Sequence, residues 1–293
     1  PISDLIVTQQ TDCHIARVTE MMEYKGIKIC KVGVPTDWEK PIAFEYYLES
    51  LRKMVAMVED ITGSKVDWDK ARENFAKTNK INVLFRQLNE LRKRPNPPIG
   101  LTEVIRLHHY SFMVDADVMI DKLTELVGEL ESAPGKFTDD APRIVFAGRA
   151  LAIGDYVVPR LLEDKGAVVV AEMLDEGIRL IEKDVELDGD LLANFARNRF
   201  LDTLPPNLFQ PAWKKRYEHI KQLVADYKAD GLLWYQLAFD EIYDMECSCL
   251  NKWTADDGTP MLKMESSYEY SRESMGPLTT RIESFVASLK EGK

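Results

Sequence analysis

Basic residues are outnumbered in this chain. Against 49 Asp and Glu stand 38 Lys and Arg, a formal net charge of -11. That balance argues against nucleic acid as a partner, because phosphate binding needs a basic surface. Long apolar runs are missing too: none reaches the roughly 18 residues of a membrane span, and no basic, apolar leader pattern opens the chain. No membrane is therefore expected as a partner. Four cysteines in 293 residues are too few for a disulfide scaffold, so a reducing cytoplasm is the expected setting. The four histidines, His14, His108, His109 and His219, show no HExxH or comparable metal spacing. GxSxG, Walker A and GxGxxG are all absent, and with them the local signatures of hydrolase elbow, P-loop and dinucleotide fold.

What is present is ordinary globular composition, 45% hydrophobic and 30% charged, in a chain long enough for two domains with full cores. The stretch 4–24 (DLIVTQQTDCHIARVTEMMEY) organises the reading. A β-branched run at 5–7 marks a buried strand. A polar loop then delivers Cys13 to the mouth of a helix with apolar residues at Ile15, Val18, Met21 and Met22. In open α/β sheets ligands bind outside the carboxyl ends of strands, where such loops sit. A strand so near the start carries the further expectation that the first part of this domain is missing or lies on another chain.

Residues 27–34 read as a second strand and 41–60 as a helix with Phe44, Tyr47, Leu48, Leu51, Val55 and Val58 on one face. From 67 to 131 the pattern is almost wholly helical. Strands follow at 143–147 (RIVFA), 167–171 (AVVVA), 231–237 and 261–264, alternating with helices that end in one over 278–289. The expected fold class is α/β, with two doubly wound parallel-sheet domains. Residues 1–63 form the C-terminal part of the first, 64–137 a helical connector, and 138–293 the second.

The first unit runs strand, Cys13, helix, Gly26, strand; the last runs strand, Cys247 and Cys249, helix, Gly258, strand. Three of four cysteines thus follow a strand in equivalent units. Two readings of Cys13, Cys247 and Cys249 stand open: ligation of an iron–sulfur cluster, since thiolates suit soft metals, or buried and solvent thiols. Cys30, inside a strand, reads as core. The loop 148–155 offers backbone N–H groups and Arg149 to an anion, or simply packs. Lys214, Lys215 and Arg216 read as a solvated helix face or a patch for phosphate groups. Met21 with Met22, and Trp234 with Tyr235, read as core.

Several segments resemble one family. Residues 5–17, a strand followed by TDCHIAR, are similar to a strand plus Thr-Cys-Asp loop of the 2-hydroxyacyl-CoA dehydratase and benzoyl-CoA reductase family, whose relatives include double-cubane cluster proteins. Residues 143–173 resemble the start of its second domain, 227–237 (YKADGLLWYQL) its strand before the third cysteine loop, and 265–289 its closing Arg-Ile-Glu helix. The resemblance implies two α/β domains holding an iron–sulfur cluster, [4Fe-4S] or a double cubane. It implies an acyl-CoA or aromatic acyl-CoA substrate, a homologous subunit as hetero- or homodimer partner, and an ATP-hydrolysing activator protein that supplies single low-potential electrons. Radical chemistry on the CoA thioester is the implied reaction. An electron-relay or scaffold subunit and a small-molecule reductase are the alternatives. Cys13 carries over best as metal ligand, with Cys247 and Cys249 standing in by position. The family's usual Phe-Cys-Asp loop reads Phe239-Asp240-Glu241 here.

Overall fold

Each strand expected from the sequence is a parallel strand in the computed structural model, which describes residues 3–210 and 212–292. In chain order the elements are β1 (Ile6–Gln10), α1 (Cys13–Tyr24), β2 (Ile29–Gly33), α2 (Pro41–Thr62) and α3 (Trp68–Leu91). Then come α4 (Leu101–Ser111), α5 (Ala116–Ser132), β3 (Arg143–Gly148), α6 (Val157–Asp164), β4 (Val168–Met173) and α7 (Ile178–Ile181). The remainder is α8 (Leu191–Arg197), a π-helical turn (Asn198–Asp202), α9 (Ala212–Asp226), β5 (Gly231–Leu237), α10 (Glu241–Asp256), β6 (Met261–Ser266) and α11 (Arg272–Glu291). No described helix is long and apolar enough to cross a membrane.

The chain divides into two units: Pro1–Asn79 with Lys183–Trp213, and Lys80–Glu182 with Lys214–Lys293. Packing is the reason for this division. Ala196 and Phe200, from α8 and the π-helical turn, share a core with Cys30, Val32, Tyr47 and Leu51 of unit 1. Leu101 and Ile105 of α4 lie in the core of unit 2 beside Ile144, Phe146 and Val169.

In unit 1, β1 and β2 pair in parallel from Ile6 opposite Ile29 to Gln10 opposite Gly33. Pro41 opens α2, where its missing N–H costs nothing, and Gly63 closes it in the left-handed region. The inner face of α2 buries Tyr47, Leu48 and Leu51, and Tyr47 stacks on Phe200 at 4.8 Å. Each such apolar side chain is worth about 1.5–3 kcal/mol when fully buried. Helix α1 behaves otherwise. Thr19 is its one buried residue, whereas Val18 and Met21 are 51% and 59% exposed. The apolar stripe that the periodicity marks as core is thus uncovered among the described residues.

Unit 2 holds a four-stranded sheet in the order β4-β3-β5-β6, parallel throughout. Period-two alternation sends Ile144, Phe146, Leu233 and Tyr235 to one face, against α6 and α11 residues such as Leu162 and Ile282. Val145, Leu232 and Trp234 take the other face, where Trp234 meets Tyr243 of α10 at 6.1 Å. Helices therefore cover both faces, as all-parallel sheets require. The chain steps from β3 to β4 on one side and then from β4 back past β3 to β5 on the other, so the carboxyl ends of β3 and β5 flank a topological switch point. Gly148 sits there with φ 125°; a Cβ at that position would lie 2.0 Å from the Tyr235 carbonyl oxygen.

The duplicated plan is visible in both units. Gly26 and Gly258 end α1 and α10 with φ of 79° and 74°, conformations open to glycine at little cost.

Candidate functional site

Asp12 builds the start of α1. Its carboxylate accepts from the backbone N–H of His14 at 2.8 Å and Ile15 at 3.0 Å, satisfying two otherwise orphaned donors. The Ile15 hydrogen bond is the largest influence holding the Asp12 carboxyl below its usual range. Cys13 follows as the first helical residue, exposed, with Sγ 3.9 Å from His14 Nδ1. Beneath it Gln10 Nε2 of β1 donates to Thr19 Oγ1 of α1 at 3.4 Å, and Thr19 Oγ1 lies 3.5 Å from Thr8 Oγ1. This polar stitching ties α1 to β1 where the periodicity predicts an apolar contact. The result is a solvent-facing thiol fixed just past a strand's carboxyl end.

The switch point of unit 2 carries ion pairs and phenol–carboxylate pairs. The loop after β3 is closed onto β5 by the Arg149 N–H, which donates to the Tyr235 carbonyl at 2.9 Å. The Arg149 guanidinium meets the Asp240 carboxylate at 2.5 Å and lies over the Tyr243 ring, 5.6 Å from its centroid. Tyr243 donates its hydroxyl to Asp175 at 2.8 Å. Tyr270 and Tyr235 both donate to Asp155 Oδ2, at 2.8 and 3.4 Å. Burial, helped by the Asp155 carboxylate, pushes the Tyr270 phenol up to about 12. Phe239, between β5 and Asp240, is fully exposed with φ 64°, a conformation that side-chain-bearing residues rarely adopt. Arg149 is thus committed to a carboxylate in an acidic setting, and the loop does not stand ready for an anion.

The cysteines of unit 2 are placed differently from Cys13. Cys247 lies six residues past the start of α10, about 9 Å down the helix axis at 1.5 Å per residue. It is buried, and burial pushes its thiol up to about 11. Cys249, partly exposed, comes two residues later; residues so spaced do not share a helix face. Cys30 of β2 is buried in the unit 1 core. Cys13 belongs to the other unit from Cys247 and Cys249. A cluster takes three or four cysteine thiolates, and among the described residues no group of three His, Cys, Asp or Glu is arranged to hold a metal ion. Cys13 is thus exposed and Cys247 buried, and the described residues do not by themselves assemble a cluster's full ligand set.

Sequence reasoning missed a fully buried charge pair. Arg92 and Glu172 meet at 2.5 Å with neither side chain touching solvent. Arg92 also donates to the Val169 carbonyl at 3.2 Å, and Glu172 accepts from Ile178 N–H at 3.3 Å, anchoring the loop after β4. A carboxylate inside the apolar run 168–173 was the available signal. His109 likewise has a role in unit 2, with Nδ1 2.8 Å from the Tyr156 hydroxyl and Nε2 3.7 Å from Glu176. His108 stacks on Phe85 at 3.8 Å, and burial holds it down to about 3. Of the basic triplet, Lys214 and Lys215 are exposed, but Arg216 is buried against Glu246 at 2.6 Å.

Comparison with known proteins sharpens this picture. The chain is 22% identical over 275 residues to the (R)-phenyllactyl-CoA dehydratase beta subunit of Clostridium sporogenes, a match covering 90% of this chain and 69% of that one. The family model of the 2-hydroxyglutaryl-CoA dehydratase D-component matches residues 1–289. With parallel α/β units as expected and a match spanning nearly the whole sequence, this chain belongs to the 2-hydroxyglutaryl-CoA dehydratase D-component family.

Proposed function

We propose that this dehydratase-family chain is a subunit of an iron–sulfur enzyme acting on a CoA thioester, of the 2-hydroxyacyl-CoA dehydratase or benzoyl-CoA reductase type. In this reading it works in the cytoplasm beside a homologous subunit, and an ATP-hydrolysing activator delivers electrons one at a time. The cluster, when bound, supplies the low-potential electron that an acyl-CoA or aromatic acyl-CoA substrate needs. The observation that carries the reading is Cys13: an exposed thiol, set by the Asp12 cap at the carboxyl end of a parallel strand. Asp12 fixes where the helix starts, and so where the sulfur stands.

Anaerobic purification followed by iron, acid-labile sulfide and EPR analysis tests it. Brown protein that bleaches in air, and loses its EPR signal on Cys13→Ser, is the expected result. Colourless, iron-free protein would sink the reading.

A second reading is a partner subunit that relays electrons or scaffolds without holding a cluster. The pairing of Asp240 with Arg149, in a loop that bears no thiol, favours it. Activity that survives Cys13→Ser yet disappears without this chain would mark that case.

A further inference from the structure

The carboxyl edge of the unit 2 sheet is where an α/β unit presents ligands, so a metal-binding thiol would be expected on the loop after β5 or in the first turn of α10. That stretch is 238–244, and it contains Ala, Phe, Asp, Glu, Ile, Tyr and Asp. Asp240 is held across the switch point by the Arg149 guanidinium at 2.5 Å, which lies over the Tyr243 ring. Arg149 is itself positioned through its backbone N–H on Tyr235. Exchanging this pair for a metal would leave the guanidinium without its counter-charge.

The two thiols further along α10 do not make up for it. The helix is unbroken from Glu241 to Asp256, so Cys247 is fixed roughly 9 Å below the edge by the 1.5 Å rise. It is 4% exposed and lies in the layer between helix and sheet. Cys249 projects from another side of the helix. At most one of them could face any single ligand, and the inward one has no route to it.

We propose that unit 2 contributes no cysteine ligand to the cluster. The proposal rests on the iron–sulfur reading above and narrows its ligand set. Cys247 is then a packing residue and Cys249 a surface thiol.

The test uses the enzyme purified anaerobically with every chain that accompanies it. Cys13→Ser, Cys247→Ala, Cys247→Val and Cys249→Ala are compared for iron and sulfide per chain and for the EPR signal of the dithionite-reduced protein. Loss of iron in Cys13→Ser, with wild-type content in Cys249→Ala and in whichever Cys247 variant keeps the native circular dichroism, is the expected pattern. Iron loss in Cys249→Ala or in a natively folded Cys247 variant overturns the proposal. Independently of iron, native-state iodoacetamide labelling mapped by mass spectrometry should modify Cys249 and spare Cys247 until the protein is unfolded. Rapid labelling of Cys247 in the native protein overturns the proposal as well. Iron-free wild type with Cys247 protected refutes the iron–sulfur reading and leaves the assignment of Cys247 to packing intact.

Discussion

Glu172→Gln removes one charge from a pair that has no water to fall back on. Both side chains are wholly buried, 2.5 Å apart, and Arg92 has a fixed second partner in the Val169 carbonyl. The guanidinium cannot shed its proton near neutral pH, so the variant keeps a buried cation facing a neutral amide. Removing one partner of such a pair costs about 3–5 kcal/mol. The amide still offers an oxygen to Arg92 or to Ile178 N–H, though not fully to both, which places the loss near the lower end, about 3 kcal/mol. In a body the size of unit 2, each kcal/mol moves the melting temperature by roughly 2–4 °C. The unit 2 transition should therefore fall by roughly 6–12 °C. Trp234 is buried in that sheet, so its fluorescence reports the transition alongside calorimetry. The double variant Arg92→Met/Glu172→Leu, which removes both charges together, should recover most of the loss. A Glu172→Gln transition within a degree or two of wild type would refute the reasoning, because the pair would then be contributing shape and not charge.

Three further perturbations probe other parts of the chain. His108 is held down to about 3, so the folded protein keeps it neutral where an unfolded chain would protonate it. Stability should be full above about pH 6.5 and fall as pH drops towards 3; His108→Phe, which preserves the ring over Phe85, should flatten that acid limb in urea titrations, and an unchanged limb counts against the assignment. Phe239→Gly relieves a left-handed φ of 64° and exposes no core, so a gain of about 1 kcal/mol in unfolding free energy is expected; destabilisation would show that the ring has a partner. Asp12→Ala deletes both capping hydrogen bonds of α1, at a cost of about 1 kcal/mol in unit 1, with faster amide exchange at His14 and Ile15 by NMR as the direct readout.

Much of this architecture is legible in the residues. The run 231–237 becomes β5 with the expected bounds, and Pro41 opens α2 where periodicity placed it. Such signals are local, and a strand buried on both faces must be written in continuous apolar residues. What local pattern does not carry is long-range company. Residues 183–213 join the first unit because Ala196 and Phe200 fill a gap beside Tyr47, more than 140 positions earlier. The α1 stripe has the right period for burial, yet periodicity says which residues share a face and not whether anything covers it. The site divides in the same way. Cys13 at the mouth of a helix follows from a strand, a polar loop and an Asp cap in succession. The difference between Cys247 and Cys249 depends on α10 starting at Glu241, and a boundary error of a few residues conceals it. Glu172 is hidden for another reason: one charge in an apolar strand implies a partner, but nothing nearby in sequence names Arg92.

Gly148 has almost no mutational freedom. Its φ of 125° and the 2.0 Å separation between a notional Cβ and the Tyr235 oxygen leave an alphabet of one letter. That hydrogen atom in place of a side chain acts as a spacer gauge, setting how close the segments after β3 and β5 run to one another. In a saturation library this position should tolerate no replacement, although it touches no charge and holds no ligand. The reach of Arg149 to Asp240 is thus specified by a residue with nothing to reach with.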